Sequence, residues 1–287
     1  MTSKATSMQG EISPRFRSLA SIPESQIGLA EGAFVLAAEA RPDLDIEFGL
    51  AHIDELVERA RPLIDEATTP SGTVATLNHV LFELEGFCGS KEQYEDPRNS
   101  FLDEVLSRRR GLPITLSILY VEIARRLGLE AYGVGFPGHF LAKVAGISDS
   151  PRGEIIIDPF FGRILRKEEC VERLHAMTED DNFDHETWLR PATALEIYTR
   201  MLNNLKFLYF REGDGLSALG CFDRILVLTP NSALEYRDRA ILLERLDCTH
   251  AAIEDYSQYL GLAPEHEDAA RIRLRRDALV QQKPRLN

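Results

Sequence analysis

Two residues form the sharpest candidate for proton chemistry, His139 and Asp158. His139 precedes a strand-like run over residues 140–144, and Asp158 follows another over residues 154–157. Runs joined by such short turns pair as antiparallel neighbours, which sets the two side chains at adjoining sheet edges. A carboxylate behind an imidazole fixes the ring's tautomer and raises its basicity, as in a hydrolytic triad. A His–Asp bond that closes a sheet uses the same two residues, so the residue types leave both roles open. Either role predicts that His139 donates from Nδ1 to the Asp158 carboxylate, directly or through one water.

A second group surrounds the break at Gly111-Leu112-Pro113. Arg108, Arg109 and Arg110 form a basic run before it, and Arg98 and Asn99 lie nearby in Asp96-Pro97-Arg98-Asn99. Guanidinium groups beside a helix start can take up a carboxylate or a phosphate. For Arg109 a solvated helix end is the better reading. For Arg98 and Asn99 ligand contact is slightly favoured over a solvated helix end, and a structural turn tied by Asx-type bonds is an equal alternative. Glu179, Asp180, Asp181, Asp184 and His185 cluster later, without EF-hand or HExxH spacing. They read as a solvated acidic linker, docked by Trp188 and Leu189, and no metal site is expected. Walker, GxGxxG and GxSxG motifs are absent, so no cofactor is expected.

Composition narrows the class further. The 287 residues carry a net charge of −13. That field repels phosphate backbones, so nucleic acid is not an expected partner. Cys88, Cys170, Cys221 and Cys248 form no CxxC pair, which excludes zinc ribbons and thioredoxin-type motifs. Sparse cysteines in a chain of this length suit a reducing cytoplasm. The N-terminus lacks the apolar stretch of a secretory signal, and no apolar run is long enough to cross a bilayer.

The elements that must position these residues are legible as patterns. Residues 1–22 are polar and without period, and read as a loose tail. Helical spacing follows from Pro23 to Pro42, over residues 46–67 and over residues 74–84. Ser100 and Asp103 resemble a capping pair for a short helix over residues 101–109. Gly111 reads as the glycine after that helix, and Pro113 as the first residue of the next. Residues 114–127 are apolar nearly all round, the mark of a central buried helix. Three strand-like runs then read as an antiparallel meander, over residues 130–136, 140–144 and 154–157.

Beyond Leu195 the chain is helical and repeats itself. Ala218, Phe222 and Pro230 recur 34 residues later as Ala252, Tyr256 and Pro264. A small residue, an aromatic and a terminal proline at that period are the tetratricopeptide signature. Two repeats are predicted, over residues 199–232 and 233–266, with a capping helix over residues 268–281.

Three stretches carry a resemblance to a known family: residues 111–128, Gly138-His-Phe-Leu-Ala-Lys-Val144 and Ile156-Ile-Asp-Pro-Phe160. Together they resemble the transglutaminase-like (papain-like) core. The whole chain is similar to the bacterial family that joins this core to tetratricopeptide repeats, described as regulators of sirC expression. Further family-like stretches are residues 94–100, residues 200–206 and Arg237-Asp-Arg239. The resemblance implies a nucleophilic cysteine at the start of the central helix, then the His and the Asp on successive strands. His139 and Asp158 match the last two, but Pro113 stands at the nucleophile position and has no thiol. Ser117, one turn on, is a poor substitute nucleophile and a possible ligand contact. Cys88 could approach a cleft only if its loop folds over it.

The expected fold is therefore α+β: a transglutaminase-like domain over residues 23–178, with helices at its N-terminal end. A linker over residues 179–194 leads to an all-α repeat region over residues 195–287. The expected function is a non-catalytic scaffold that engages a protein or peptide through its repeats. The alternative is a hydrolase or amidase in which His139, oriented by Asp158, activates water. The pair is expected to line a shallow pocket whose nucleophile slot is filled by Pro113.

Overall fold

The computed structural model describes residues 7–23, 26, 28–177 and 184–282. It divides into two units: one is Ser21–Met201, and the other joins the N-terminal residues as far as Ala20 to Leu202 and beyond. Ser13 opens the first helix, α1 (Pro14–Leu19), by accepting from Phe16 N at 3.1 Å, and Pro14 fills the first helical position. From Ser7 to Leu19 the segment read as a loose tail is thus ordered, with Met8, Phe16 and Leu19 buried. Its apolar residues are too few to show a period, yet each finds a place in a core.

The Ser21–Met201 unit begins with α2 (Leu29–Ala40), α3 (Ile46–Asp65) and α4 (Pro70–Asn78). Glu24, Ser25 and Ile27, assigned to the first of these from sequence, lie outside the described residues. Asp45 and Thr69 cap α3 and α4 through Phe48 N and Gly72 N, at 3.0 and 3.1 Å. After α4 the chain widens into a π-turn, His79–Leu84, where Glu85 N reaches back to Val80 O at 2.8 Å.

Two local readings need correction. The predicted Ser100 cap is not made: Phe101 precedes α5 (Leu102–Arg108) without a side-chain cap, and Ser100 closes a 3₁₀ turn. The left-handed residue ending α5 is Arg109 (φ 56°), not Gly111. Arg109 is held there by its side chain, which donates to Glu85 O and pairs with the Glu85 carboxylate at 3.1 Å. Gly111 is needed for a different reason. It lies in the short parallel pair β1 (Cys88–Gly89) and β2 (Arg110–Gly111), where a Cβ would meet Thr115 Oγ1 at 2.8 Å.

The central helix α6 (Pro113–Arg126) is buried at every residue from Pro113 to Val121. A four-stranded antiparallel meander follows: β3 (Glu130–Val134), β4 (Leu141–Ala145), β5 (Glu154–Asp158) and β6 (Arg163–Leu165). The fourth strand escaped the sequence reading because it is three residues long and two of them are exposed. The helix after it, α7 (Lys167–Met177), was not read either. Its Cys170 and Leu174 share a core with Val134, Phe136, Leu141 and Ile156. Trp188, in the single turn α8 (His185–Trp188), packs on that core, and Leu189 is buried in it, so both dock as expected.

The unit boundary falls inside α9 (Ala194–Glu212), and α10 (Gly215–Leu228), α11 (Ala233–Arg245), α12 (Thr249–Leu262) and α13 (Ala269–Gln282) complete the chain. Ala218, Phe222, Ala252 and Tyr256 are all at most 1% exposed, so the recurring positions are core positions. Arg239 cross-links successive repeats, donating to Asp255 at 2.6 and 2.7 Å and to Asp223 at 2.8 Å.

One close approach in the Ser21–Met201 unit is directly testable. Tyr198 donates to Leu29 O at 3.1 Å, and its ring fills the space where a Cβ on Gly32 would stand. Gly32→Ala is expected to cost about 1–3 kcal/mol in chemical denaturation through overpacking. Combined with Tyr198→Ala, its added cost should largely vanish, because the two changes act on one contact.

Candidate functional site

The site grows from the end of β5. In the register of the meander Ala142 opposes Ile157, so the turn before β4 lies beside the residue that ends β5. That turn carries His139 and that residue is Asp158. His139 Nε2 is 2.9 Å from Asp158 Oδ1. The pair predicted from sequence is brought together, but through Nε2 and not Nδ1. The imidazole reaches from the turn with its far edge, which leaves Nδ1 without a hydrogen-bond partner among the described residues.

The Asp158 carboxylate is fully buried and has further partners. Arg173, from α7, places Nη2 2.8 Å from Oδ2. The backbone N–H groups of Phe160 and Phe161 donate to Oδ1 at 3.2 and 3.4 Å. Burial works to raise the carboxyl's pKa, but the His139 bond and the Arg173 charge outweigh it and hold Asp158 below its ordinary value. The His139 turn is fixed from its other side by Arg200 of α9. Arg200 donates to His139 O at 2.6 Å and to Phe136 O at 3.1 Å, with its guanidinium 5.4 Å from the Phe140 ring centre. Burial lowers the Arg200 pKa.

Two aromatic rings bound the imidazole. Phe161 stacks on it at 6.1 Å and Phe160 meets it edge-on at 6.0 Å. Both also line a cavity of about 650 Å³, together with Phe87, Cys88, Lys91 and Arg110. His139, Asp158, Pro113 and Ser117 are not on its wall. This cavity is therefore not one that the pair itself lines. The two residues that follow Asp-Pro turn back over the imidazole, and the His139 side chain is only 14% exposed.

The remaining predicted residues are buried or have partners within the protein itself. Pro113 is buried at the first position of α6. Ser117 is buried and donates to Phe140 O at 3.4 Å. Asn99, also buried, donates to Gln93 O at 2.5 Å and accepts from Arg108 at 2.7 Å. Its carbonyl accepts from Thr115 Oγ1 at 2.9 Å, which pins the start of α6 to the loop before it. Arg98 forks onto Asp96 at 2.6 and 3.0 Å. Cys88 meets Arg110 Nη1 and makes no described hydrogen bond to His139. Burial pushes the Cys170 and Cys221 thiols up to about 11 and 12, which disfavours the reactive thiolate.

Glu179, Asp180 and Asp181 of the predicted acidic linker lie outside the described residues. Asp184 accepts from Glu186 N at 3.2 Å and from Thr187 Oγ1 at 2.5 Å. No group of three metal-ligating side chains occurs among the described residues. Arg173 and Arg200 are the site residues that sequence reasoning missed. Arg200 opens one of the family-like stretches, which was a usable signal. Arg173 sits on an exposed-looking helix with no motif.

The chain matches the family model for the transglutaminase-like superfamily over residues 48–203 and a tetratricopeptide-repeat model over residues 205–277. A UPF0162 protein of Xylella fastidiosa is 34% identical over 91% of this chain and 92% of its own length. A UPF0162 protein of Pseudomonas aeruginosa is 31% identical over 90% of this chain and 93% of its own. Protein SirB1 of Salmonella typhimurium is 27% identical over 90% and 94%. No solved structure matches the chain.

The depressed Asp158 pKa fixes a pH dependence. A carboxylate held below its unfolded value stabilises fully above about pH 4, and the contribution is lost as pH falls through the folded value. Asp158→Asn should cost about 3–5 kcal/mol at neutral pH, since Arg173 loses its buried partner. The cost should shrink steadily below pH 4, as read by urea unfolding across pH. An equal cost at pH 3 and pH 7 would contradict the ionised assignment.

Proposed function

On the premise that the chain belongs to the transglutaminase-like superfamily, in the group that joins this fold to tetratricopeptide repeats, we propose a non-catalytic scaffold whose repeats bind a protein or peptide. The observation that supports this reading is the start of α6, where Pro113, which the sequence resemblance matches to the superfamily's nucleophile position, is buried. Among the described residues no thiol or hydroxyl hydrogen-bonds to His139: Ser117 is bonded to Phe140 O, and the polar contact of Cys88 is Arg110. The His139–Asp158 bond then serves as a latch between the turn before β4, the end of β5 and α7.

The repeats supply a surface for partners. Phe207 and Phe210 lie three residues apart on α9, hence on one face, and are 60% and 42% exposed. Exposed aromatics grouped on one face mark interaction sites in helical repeats. We place the protein in the cytoplasm on its sparse cysteine content; no described helix is long and apolar enough to cross a membrane. The regulatory role follows the similarity to proteins described in that way and is an analogy.

The second reading, with His139 activating water, draws on the unbonded Nδ1. Against it stand Phe160 and Phe161, which close on the ring, since a water-activating base needs access to its substrate.

Partner capture by three full-length variants separates the two readings. Phe207→Ser with Phe210→Ser should abolish capture at unchanged melting temperature. His139→Ala should retain capture while losing about 1–3 kcal/mol of stability. The chain with all four cysteines changed to serine should keep capture provided it folds. A His139→Ala protein of unaltered stability that has lost its biological activity would overturn the scaffold reading.

A further inference from the structure

The repeat unit holds a buried arginine whose acceptors come largely from the far end of the chain. Arg224, on α10, is 0% exposed. Its Nη1 donates to Met8 O at 2.8 Å and to Gly220 O at 2.9 Å, and its Nη2 donates to Gly10 O at 3.2 Å. One guanidinium fork thus grips alternate carbonyls of one segment, those of residues Met8 and Gly10. A guanidinium is always charged, and burying it is costly unless its N–H groups are satisfied. Two of these three carbonyls belong to the N-terminal segment.

The helix is shaped for that segment. Gly220 has no Cβ, and one placed there would collide with the Met8 carbonyl. Met8 is itself 0% exposed. Ser217, buried one turn before Gly220, has its Oγ 3.2 Å from Ser7 Oγ and accepts from Gln9 Nε2 at 3.4 Å. The bonds recognise backbone carbonyls and small polar side chains, while a single thioether side chain is enclosed. Such contacts fit a non-helical peptide with one apolar residue among small or polar ones.

We propose that this face of α10 is a peptide-binding site, distinct from the exposed aromatics of α9. Residues 7–10 are its resident occupant, and a non-helical peptide of the same chemistry replaces them. The proposal does not rest on how the His139–Asp158 pair is used. Because the occupant is tethered, its effective concentration is high, and an added peptide competes poorly until the tethered copy is weakened. Vacating the seat without replacement would strip Arg224 of two acceptors, so an empty state is disfavoured and exchange of one peptide for another is favoured.

The test uses the full-length chain and a fluorescent peptide, Ser-Met-Gln-Gly-Glu-Ile-Ser, copied from residues 7–13. Met8→Asp weakens the tethered copy and leaves Ser217, Gly220 and Arg224 in place. The peptide should bind this variant at least tenfold more tightly than wild type by anisotropy. Adding Gly220→Ala to Met8→Asp should abolish binding. A folded Met8→Asp protein that binds no peptide, or binding indifferent to Gly220→Ala, would overturn the proposal. Should Met8→Asp fail to fold, hydrogen exchange on wild type decides. Residues 7–13 should exchange at least tenfold faster than α10 and α12. Exchange of all three segments only through global unfolding would show the segment to be core and sink the idea.

Discussion

The Asp158 carboxylate, with no exposed surface, gathers an imidazole, a guanidinium and two backbone N–H groups at the end of β5. A buried charge of this kind persists only if its partners are all in place. The requirement fixes the turn before β4, the chain reversal at Phe160–Phe161 and the approach of α7. Arg200 extends the constraint by gripping the carbonyls of Phe136 and His139, so the imidazole is held through both its ring and its backbone. The geometry of the meander and that of the candidate site are one problem with one solution.

The same economy governs the start of α6. Pro113 is suited to a first helical position, since it has no N–H to leave unsatisfied. The N–H of Leu112 goes instead to Thr115 Oγ1, and that hydroxyl donates to Asn99 O. Pro113 thus serves packing at the start of this helix, where it is buried. Asn99 and Ser117, residues of types that could contact a ligand, are consumed in holding the loop and β4 to this helix.

In the repeat unit the recurring small and aromatic residues make a continuous core, and arginines make the links between elements. Arg239 joins α11 to the aspartates of α10 and α12, and Arg237 reaches Asp268 at 2.7 Å. Arg224 differs in kind, because it donates to three backbone carbonyls among the described residues. Carboxylates hold a guanidinium by charge, whereas carbonyls hold it by number and direction. A segment that presents its carbonyls in the right spacing is therefore part of the unit's polar balance.

The order of elements, the buried central helix, the antiparallel meander, the repeat period and the identity of the His–Asp pair were legible in the sequence. Each rests on local periodicity, on caps and breakers, or on motifs that near neighbours along the chain define. The family-level resemblance also placed Pro113 where a nucleophile was due. Tertiary structure alone decided which imidazole nitrogen meets Asp158, that Arg173 and Arg200 complete the site, and that Phe160 and Phe161 flank the imidazole. It alone showed that residues 7–10 lie on α10, with more than 200 residues between Arg224 and Met8. These contacts depend on which surfaces meet after long loops have closed. A polar side chain reads the same in sequence whether it ends in water or against a buried partner, and only packing chooses between the two.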